Sequence, residues 1–281
     1  MTGKPFEQIK KMLNNSIPEN LLEKLPNKWE KIGDVLTIVL PKELESCKKN
    51  VAEAYAKILG CKTVLNEIGG ISGEYREPDV ELLYGSNDTE TIHRENGICY
   101  NLDPRKIMFS SGNMDERIRM AHVSNPNEIV VDLFAGIGYF TLPMAVYSRP
   151  REIFACEKNP ISFNYLCQNI ILNNVSSIVE PIHGDNRMIA PKNIADRVIM
   201  GYFGDTHQFL PIAFECLKNH CGIIHYHDKF ADDVVPNRPL GFVVDVAGRY
   251  DRKISLLNFK CVKSYAPGIS HYVFDVKVGE K

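Results

Sequence analysis

Asp132, Gly136, Gly138, Glu157 and Asp185 are the residues whose types and spacing point to chemistry. The run "VVDLFAGIGYFTL" puts Asp132 at the end of an apolar, strand-like stretch, with two glycines just beyond it where a helix should open. A dinucleotide fingerprint would need a third glycine, but Thr141 follows instead, and an acid at the strand end would repel a pyrophosphate. A carboxylate there suits a ligand that is cationic or rich in hydroxyls. About 20 residues beyond the glycines, "FACEKNP" ends the next strand-like run in Glu157, placed to accept from both hydroxyls of a ribose. "HGDNR" then offers Asp185 to an adenine amino group, with Asn186 supporting it from its backbone. Any one of these acids reads equally well as a helix cap. Three strand ends, each with one suitable polar group and in this order, describe an S-adenosylmethionine site.

A second set lies in "ADRVIMGYFGDTH", residues 195–207, a buried strand running into a helix through Met200-Gly201-Tyr202-Phe203. Enzymes that methylate a base nitrogen often end this strand in Asn or Asp, then Pro-Pro and an aromatic; neither proline is present. A proline-rich end holds backbone carbonyls rigidly to accept from the nitrogen being methylated. A carbon nucleophile needs no such acceptor, and Gly201 is expected to leave room for a larger group. Tyr202 is placed to stack on an acceptor base. His207 can supply a base with a pKa near neutrality, although a lone histidine is more often structural.

The third set is "SSGNMDERIRM". Asn113 to Glu116 has the form of a capping box, a side-chain acceptor followed three residues later by a glutamate. The alternative makes Glu116 a catalytic base or a group that positions the donor's tail. Arg117 reads either as an exterior helix charge or as a planar fork on the donor carboxylate, with Ser110 adding a hydroxyl. His225 and His227 share one strand face, but without a carboxylate or thiol at companion spacing packing is favoured and no metal is expected. Cys156 and Cys167 fall in strand or helix cores and are read as inert.

These residues need a scaffold. Residues 5–25 carry the apolar spacing of two short amphipathic helices. "DVLTIVL" is a strand, "ELESCKKNVAEAYAKILG" a helix stopped by glycine, and "KTVLNEI", "VELLYG", "TETIHRENG" and "ICYNLD" strands of a small α+β unit. After "SSGNMDERIRMAHV", strand-like runs ("IVVDLF", "IFACE", "SIVEPI", "DRVIMGY", "GIIHYHD") alternate with helical ones, the pattern of a parallel sheet covered on both faces. "LGFVVDVAG" and "SHYVFDVKV" read as further strands, the last closing an antiparallel hairpin. The expected architecture is α/β, with a Rossmann-like S-adenosylmethionine-dependent domain over 101–281 and a smaller N-terminal α+β domain over 1–100.

The chain has 281 residues, long enough for a medium core plus an appendage. Its 33 basic and 35 acidic side chains give a net charge of −2, so composition gives nucleic-acid binding no support. A local basic face, Arg117 and Arg119 included, would have to supply it. The 8 cysteines form no C-x-x-C pair, which fits reduced thiols in a cytoplasmic protein rather than a disulfide framework or zinc site. The N-terminal stretch lacks the apolar core of a secretory signal, and no run approaches the roughly 18 apolar residues of a membrane helix.

"DLFAGIGYF", "CEKNP", "ENGICYNLDPRKIMFSSGNMDERIR", "GIIHYH" and "KSYAPGISHYVFDV" together resemble the family of tRNA guanine-N1 methyltransferases and wybutosine-pathway aminocarboxypropyltransferases. The resemblance runs from about Lys31 onward and implies action on the purine next to the anticodon. Methylating members carry "SPR" before the "ER" pair, where this chain has Ser110-Ser111-Gly112-Asn113 ahead of Glu116-Arg117. They also carry Asn-x-Pro where it has Met200-Gly201-Tyr202. Both departures look like the aminocarboxypropyl branch. That branch implies S-adenosylmethionine as donor substrate, phenylalanine tRNA bearing 4-demethylwyosine as acceptor, no membrane, and a monomer. N1 methylation of guanosine, a small-molecule methyltransferase and a non-catalytic RNA-binding relative are the readings left behind it.

Overall fold

The computed structural model describes residues 4–280. The chain divides into two compact units, one of residues up to Arg94 plus Cys99–Ser111, the other of Glu95–Ile98 plus Gly112 onward.

The first unit contains α1 (Pro5–Leu13), α2 (Glu19–Leu22), β1 (Glu30–Ile32), β2 (Val35–Ile38), α3 (Lys48–Leu59), β3 (Thr63–Ser72) and β4 (Glu77–Gly85). The strands pair in the order β1-β2-β3-β4, with β2 and β3 parallel and α3 as the crossover between them. Val51, Ala52, Ala54 and Tyr55 are the buried face of α3, and Gly60 ends it in a left-handed conformation (φ +63°). That face meets Ile9, Leu13, Leu36, Ile38 and Val64 in one core. The hairpin of β5 (Thr91–Glu95) and β6 (Ile98–Leu102) turns through Asn96 and Gly97, both at positive φ, as a two-residue hairpin loop requires.

The second unit contains α4 (Met114–Met120), β7 (Ile129–Asp132), α5 (Thr141–Tyr147), β8 (Glu152–Glu157), α6 (Pro160–Leu172), β9 (Val179–His183), α7 (Asn186–Ile189), β10 (Arg197–Gly201), α8 (Leu210–Cys216), β11 (Gly222–Ala231), α9 (Asn237–Arg249), β12 (Arg252–Ala266) and β13 (Ile269–Glu280). Among the described residues its sheet has seven strands, in the order β12-β13-β11-β10-β7-β8-β9. Five neighbouring strands, β9 to β11 through β7, run parallel; β13 is antiparallel to both β11 and β12. The order reverses at β7, and ligands of such sheets bind beyond the strand ends at that crevice. Val131, Val198, Met200, Ile224, Phe214 and Phe274 are among the buried core.

One expected strand is a helix. "LGFVVDVAG" lies in α9, where Pro239, Val243, Val246 and Ala247 are buried at helical spacing while Val244 is 52% exposed. The β-branched residues suggested a strand, but the period of burial is helical, and tertiary packing overrides local propensity. Among the described residues no helix is long and apolar enough to cross a membrane.

Candidate functional site

The strand ends of the second unit carry the cofactor residues. Asp132 closes β7 and is 1% exposed. Its carboxylate accepts from the Thr141 hydroxyl (2.8 Å) and the Phe134 amide (3.2 Å). Beyond it, Gly136 (φ +59°) and Gly138 (φ +100°) turn the chain towards α5. A Cβ on Gly136 would lie 2.5 Å from the Tyr139 ring, and one on Gly138 2.5 Å from Leu142. Only glycine makes this loop. Glu157 closes β8 and holds the same loop: Oε2 accepts from the Gly136 amide (2.7 Å) and Oε1 from the Asn159 amide (2.6 Å). Burial raises its pKa against the pull of these amides.

Burial also pushes the Asp132 carboxyl up to about 6 from a usual 3.8, against its two hydrogen bonds. The folded protein therefore holds this proton more tightly than the unfolded chain. The associated stability is fully present below about 3.8 and is lost as pH rises through about 6. At roughly 1.4 kcal/mol per pH unit, about 2 to 3 kcal/mol is at stake. In Asp132→Asn the amide oxygen still accepts from Phe134, and the Thr141 hydroxyl can turn to accept from the amide nitrogen. Denaturant titrations between pH 4 and 7 should show the native protein losing stability relative to Asp132→Asn by that amount. Parallel curves would contradict it.

The remaining residues are arranged differently from the expectation. Asp185 caps α7, and its oxygens turn to Arg187 (2.8 Å from Nε) and Lys158 (3.1 Å). The Arg187 hydrogen bond, then Lys158, hold its carboxyl well below the usual carboxylate range. Asn186 donates from Nδ2 to the Leu133 carbonyl (2.8 Å), leaving a buried Oδ1 with no protein partner.

The capping box does not form. Asn113 makes no side-chain cap bond. Glu116, fully buried in the first turn of α4, binds Arg119 instead (2.6 Å to Nη2, 3.0 Å to Nε), with Lys260 at 3.5 Å. A bidentate guanidinium outcompetes a backbone amide for the carboxylate. Glu116 is therefore a buried counter-ion to Arg119 and Lys260 rather than a helix cap. Arg117, 3% exposed, closes its fork on Glu95 at 2.6 Å through both Nε and Nη2. Neither Arg117 nor Arg119 contributes to a basic face. Ser110 belongs to the first unit.

Tyr202 follows β10 with its ring stacked on Phe134 (4.9 Å, 15°) and edged by Phe209, which ties this turn to the glycine loop. His207 lies flat on Phe242 of α9 (4.3 Å, 17°). The gap that a Cβ would need at Gly201 is filled by Phe140, 2.9 Å away, so this glycine does not open room for a larger group.

Three sets of buried polar contacts were not foreseen from the sequence, which read His225 and His227 as packing residues. Arg119 also reaches Asp275 (2.6 Å), which accepts from His225 Nδ1 (2.5 Å), while His225 Nε2 meets Arg197 (2.6 Å). This row of polar groups ties α4 to β13, β11 and β10. His227 Nδ1 faces His271 Nε2 at 3.1 Å, and burial lowers the pKa of His225 and, far more, of His227. Asp228, the acid at the turn end of "HYHD", accepts from the amides of Gly204 (3.2 Å) and Thr206 (2.9 Å). A strand-end acid in that string was the signal for Asp228; an acid inside the apolar run "YVFDV" was the signal for Asp275. Among the described residues no group of three or more His, Cys, Asp or Glu is placed to hold a metal.

Residues 91–255 match the family TRM5/TYW2 methyltransferase domain, and residues 9–89 the family TYW2 N-terminal domain. The chain is 47% identical over 271 residues, 96% of each chain, to a tRNA(Phe) (4-demethylwyosine(37)-C(7)) aminocarboxypropyltransferase of Pyrococcus horikoshii. A crystal structure of P. horikoshii TYW2 in complex with MeSAdo superposes with a TM-score of 0.89 at 44% identity, covering 98% of this chain and 100% of that one. The tRNA (guanine(37)-N(1))-methyltransferase Trm5b of Pyrococcus abyssi is 34% identical over 279 residues, 97% of this chain and 83% of its own.

Proposed function

The chain belongs to the TRM5/TYW2 methyltransferase-domain family, and on that premise we propose that it transfers the 3-amino-3-carboxypropyl group of S-adenosylmethionine to carbon 7 of 4-demethylwyosine in tRNA(Phe). The enzyme is a transferase and its donor is S-adenosylmethionine. The observation that carries the choice of group is the end of β10. Met200-Gly201-Tyr202 brings no proline to it, and the chain leaves through Gly204 (φ +117°) and Asp205 (φ +56°) instead. The 47% identity to an aminocarboxypropyltransferase, against 34% to a methyltransferase, supports the same choice.

The donor fits the strand ends. Glu157 has lone pairs left for the two ribose hydroxyls after taking the Gly136 and Asn159 amides, and the glycine loop lets a ligand approach the backbone. Asn186 Oδ1 is a buried acceptor awaiting a donor, suited to an adenine amino group, with the carboxylate of Asp185 beside it. When bound, the donor supplies an electrophilic carbon on a sulfonium. Carbon 7 of the acceptor attacks the γ-carbon in line with its bond to sulfur. That bond breaks with its electron pair on sulfur, and the proton on carbon 7 passes to a base. His207 in the turn after β10 is the imidazole assigned that proton. Tyr202 offers the acceptor an aromatic ring whose own orientation is fixed by Phe134. We take the enzyme to act as a cytoplasmic monomer on free tRNA.

The released nucleoside tests the proposal. Incubation with donor and tRNA should yield 5′-methylthioadenosine. S-adenosylhomocysteine as the main product would assign the chain to the methylating branch.

A further inference from the structure

Asp228 is 3% exposed and has no cation among its hydrogen-bond partners. A buried carboxylate without a counter-ion is costly unless its lone pairs are filled by donors. Here two of the three amide donors come from one turn and the third from the next residue of β11. Oδ1 accepts from the amides of Gly204 (3.2 Å) and Lys229 (2.8 Å), and Oδ2 from the amide of Thr206 (2.9 Å). Thr206 is itself fully buried and donates its hydroxyl to the Tyr202 carbonyl (2.9 Å). In the sheet, His227 lies beside Gly201, so Asp228 stands one residue past the partner of the last residue of β10. The carboxylate is thereby set against the turn that carries Tyr202 and leads to His207.

We propose that Asp228 is a positioning residue for the transfer: its carboxylate, through Thr206, fixes the turn Tyr202–Asp205 that proline would otherwise stiffen. Gly204 and Asp205 both adopt left-handed conformations, which glycine and aspartate tolerate better than other residues. Prolines lock a chain by removing φ freedom. A carboxylate that accepts from two amides of the same turn reaches that end by tethering, and it leaves each residue's identity open. Such a tether matters because misplacing a reacting partner by about 1 Å can cost about a hundredfold in rate. The inference rests on the aminocarboxypropyl reading for the identity of the acceptor, while the tether is a property of this chain alone.

Asp228→Asn is the informative change. The amide oxygen keeps the Gly204 and Lys229 bonds, but the amide nitrogen points a donor at the donor amide of Thr206. Thr206→Val is the second variant; it keeps the amide and shape and removes the hydroxyl that reaches Tyr202 and lies beside the Asp228 carboxylate. Single-turnover transfer on tRNA should slow at least about tenfold in Asp228→Asn and by less in Thr206→Val. Donor affinity, measured by calorimetry, should stay within about twofold in both, because the donor residues lie on other strand ends. Unchanged turnover in both variants would overturn the proposal. So would donor affinity and thermal midpoint falling in step with turnover, since that marks a general loss of structure. The native enzyme serves as the control for the reaction itself: if it passes methyl rather than aminocarboxypropyl to tRNA, the functional reading fails, whatever the variants do.

Discussion

Donor labelled separately in its methyl and carboxyl carbons is expected to deliver only the carboxyl label to tRNA. Three carbons surround the sulfonium, and the one in line with the nucleophile is the one that moves. Orientation of the donor's tail therefore decides the product. Two features of this chain bear on that orientation. By the family resemblance, Gly112 stands where methylating members are expected to carry an arginine, so one charge expected to steer the tail carboxylate is absent. The end of β10, Met200-Gly201, offers no proline-fixed carbonyl to a base nitrogen. A preference of at least about a hundredfold for the carboxyl label is expected, which corresponds to about 2.7 kcal/mol between two orientations. Methyl label in the tRNA at comparable yield would sink the assignment.

The second large effect is expected at Glu157. Its two oxygens already fix the amides of Gly136 and Asn159, at 2.7 and 2.6 Å, and the donor's ribose is assigned to the same carboxylate. Glu157→Ala therefore removes the ribose acceptor and frees the glycine loop at once. A hydrogen bond to a charged group contributes about 1.5 to 3 kcal/mol. Calorimetry should show donor affinity lower by at least about tenfold, and more if the loop loosens. Glu157→Gln separates the two causes. It retains one acceptor but turns an amide nitrogen toward a backbone amide, so its loss should lie between native and Glu157→Ala. Donor affinity unchanged in Glu157→Ala would put the ribose elsewhere.

The catalytic sheet was legible because its strands end in acids at regular intervals, and because glycine at 136 and 138 has no other good reason to follow a buried strand. The partners of those acids were not legible. Arg117 and Arg119 differ by two positions in one short helix, and sequence gave no means of choosing which would meet Glu95 and which Glu116. The capping-box pattern pointed Glu116 at the backbone, yet a guanidinium three residues on was the better partner. Asp275 could not be paired from sequence, since its partners Arg119 and His225 come from distant segments. The strand reading of "LGFVVDVAG" failed for another reason: a run of β-branched residues says little until the period of burial is known, and burial comes from β12 and the sheet beneath.

Strand β13 lies between β11 and β12 although it follows both in the chain. As the polypeptide is synthesised, β11 thus emerges with an open edge, and β12 has no neighbour until β13 arrives to join them. The same late strand carries Asp275, the counter-charge of Arg119 on α4, the first helix of the unit. An ion pair that joins the earliest helix to the latest strand makes this unit non-local in folding terms, and non-local pairing is slow. A nascent chain halted inside β12 would display a long, half-apolar edge and a guanidinium held by Glu116 alone, without its second carboxylate Asp275, the kind of species that chaperones hold. Release of the final strand is then the event that turns a collection of helices and edges into an enzyme.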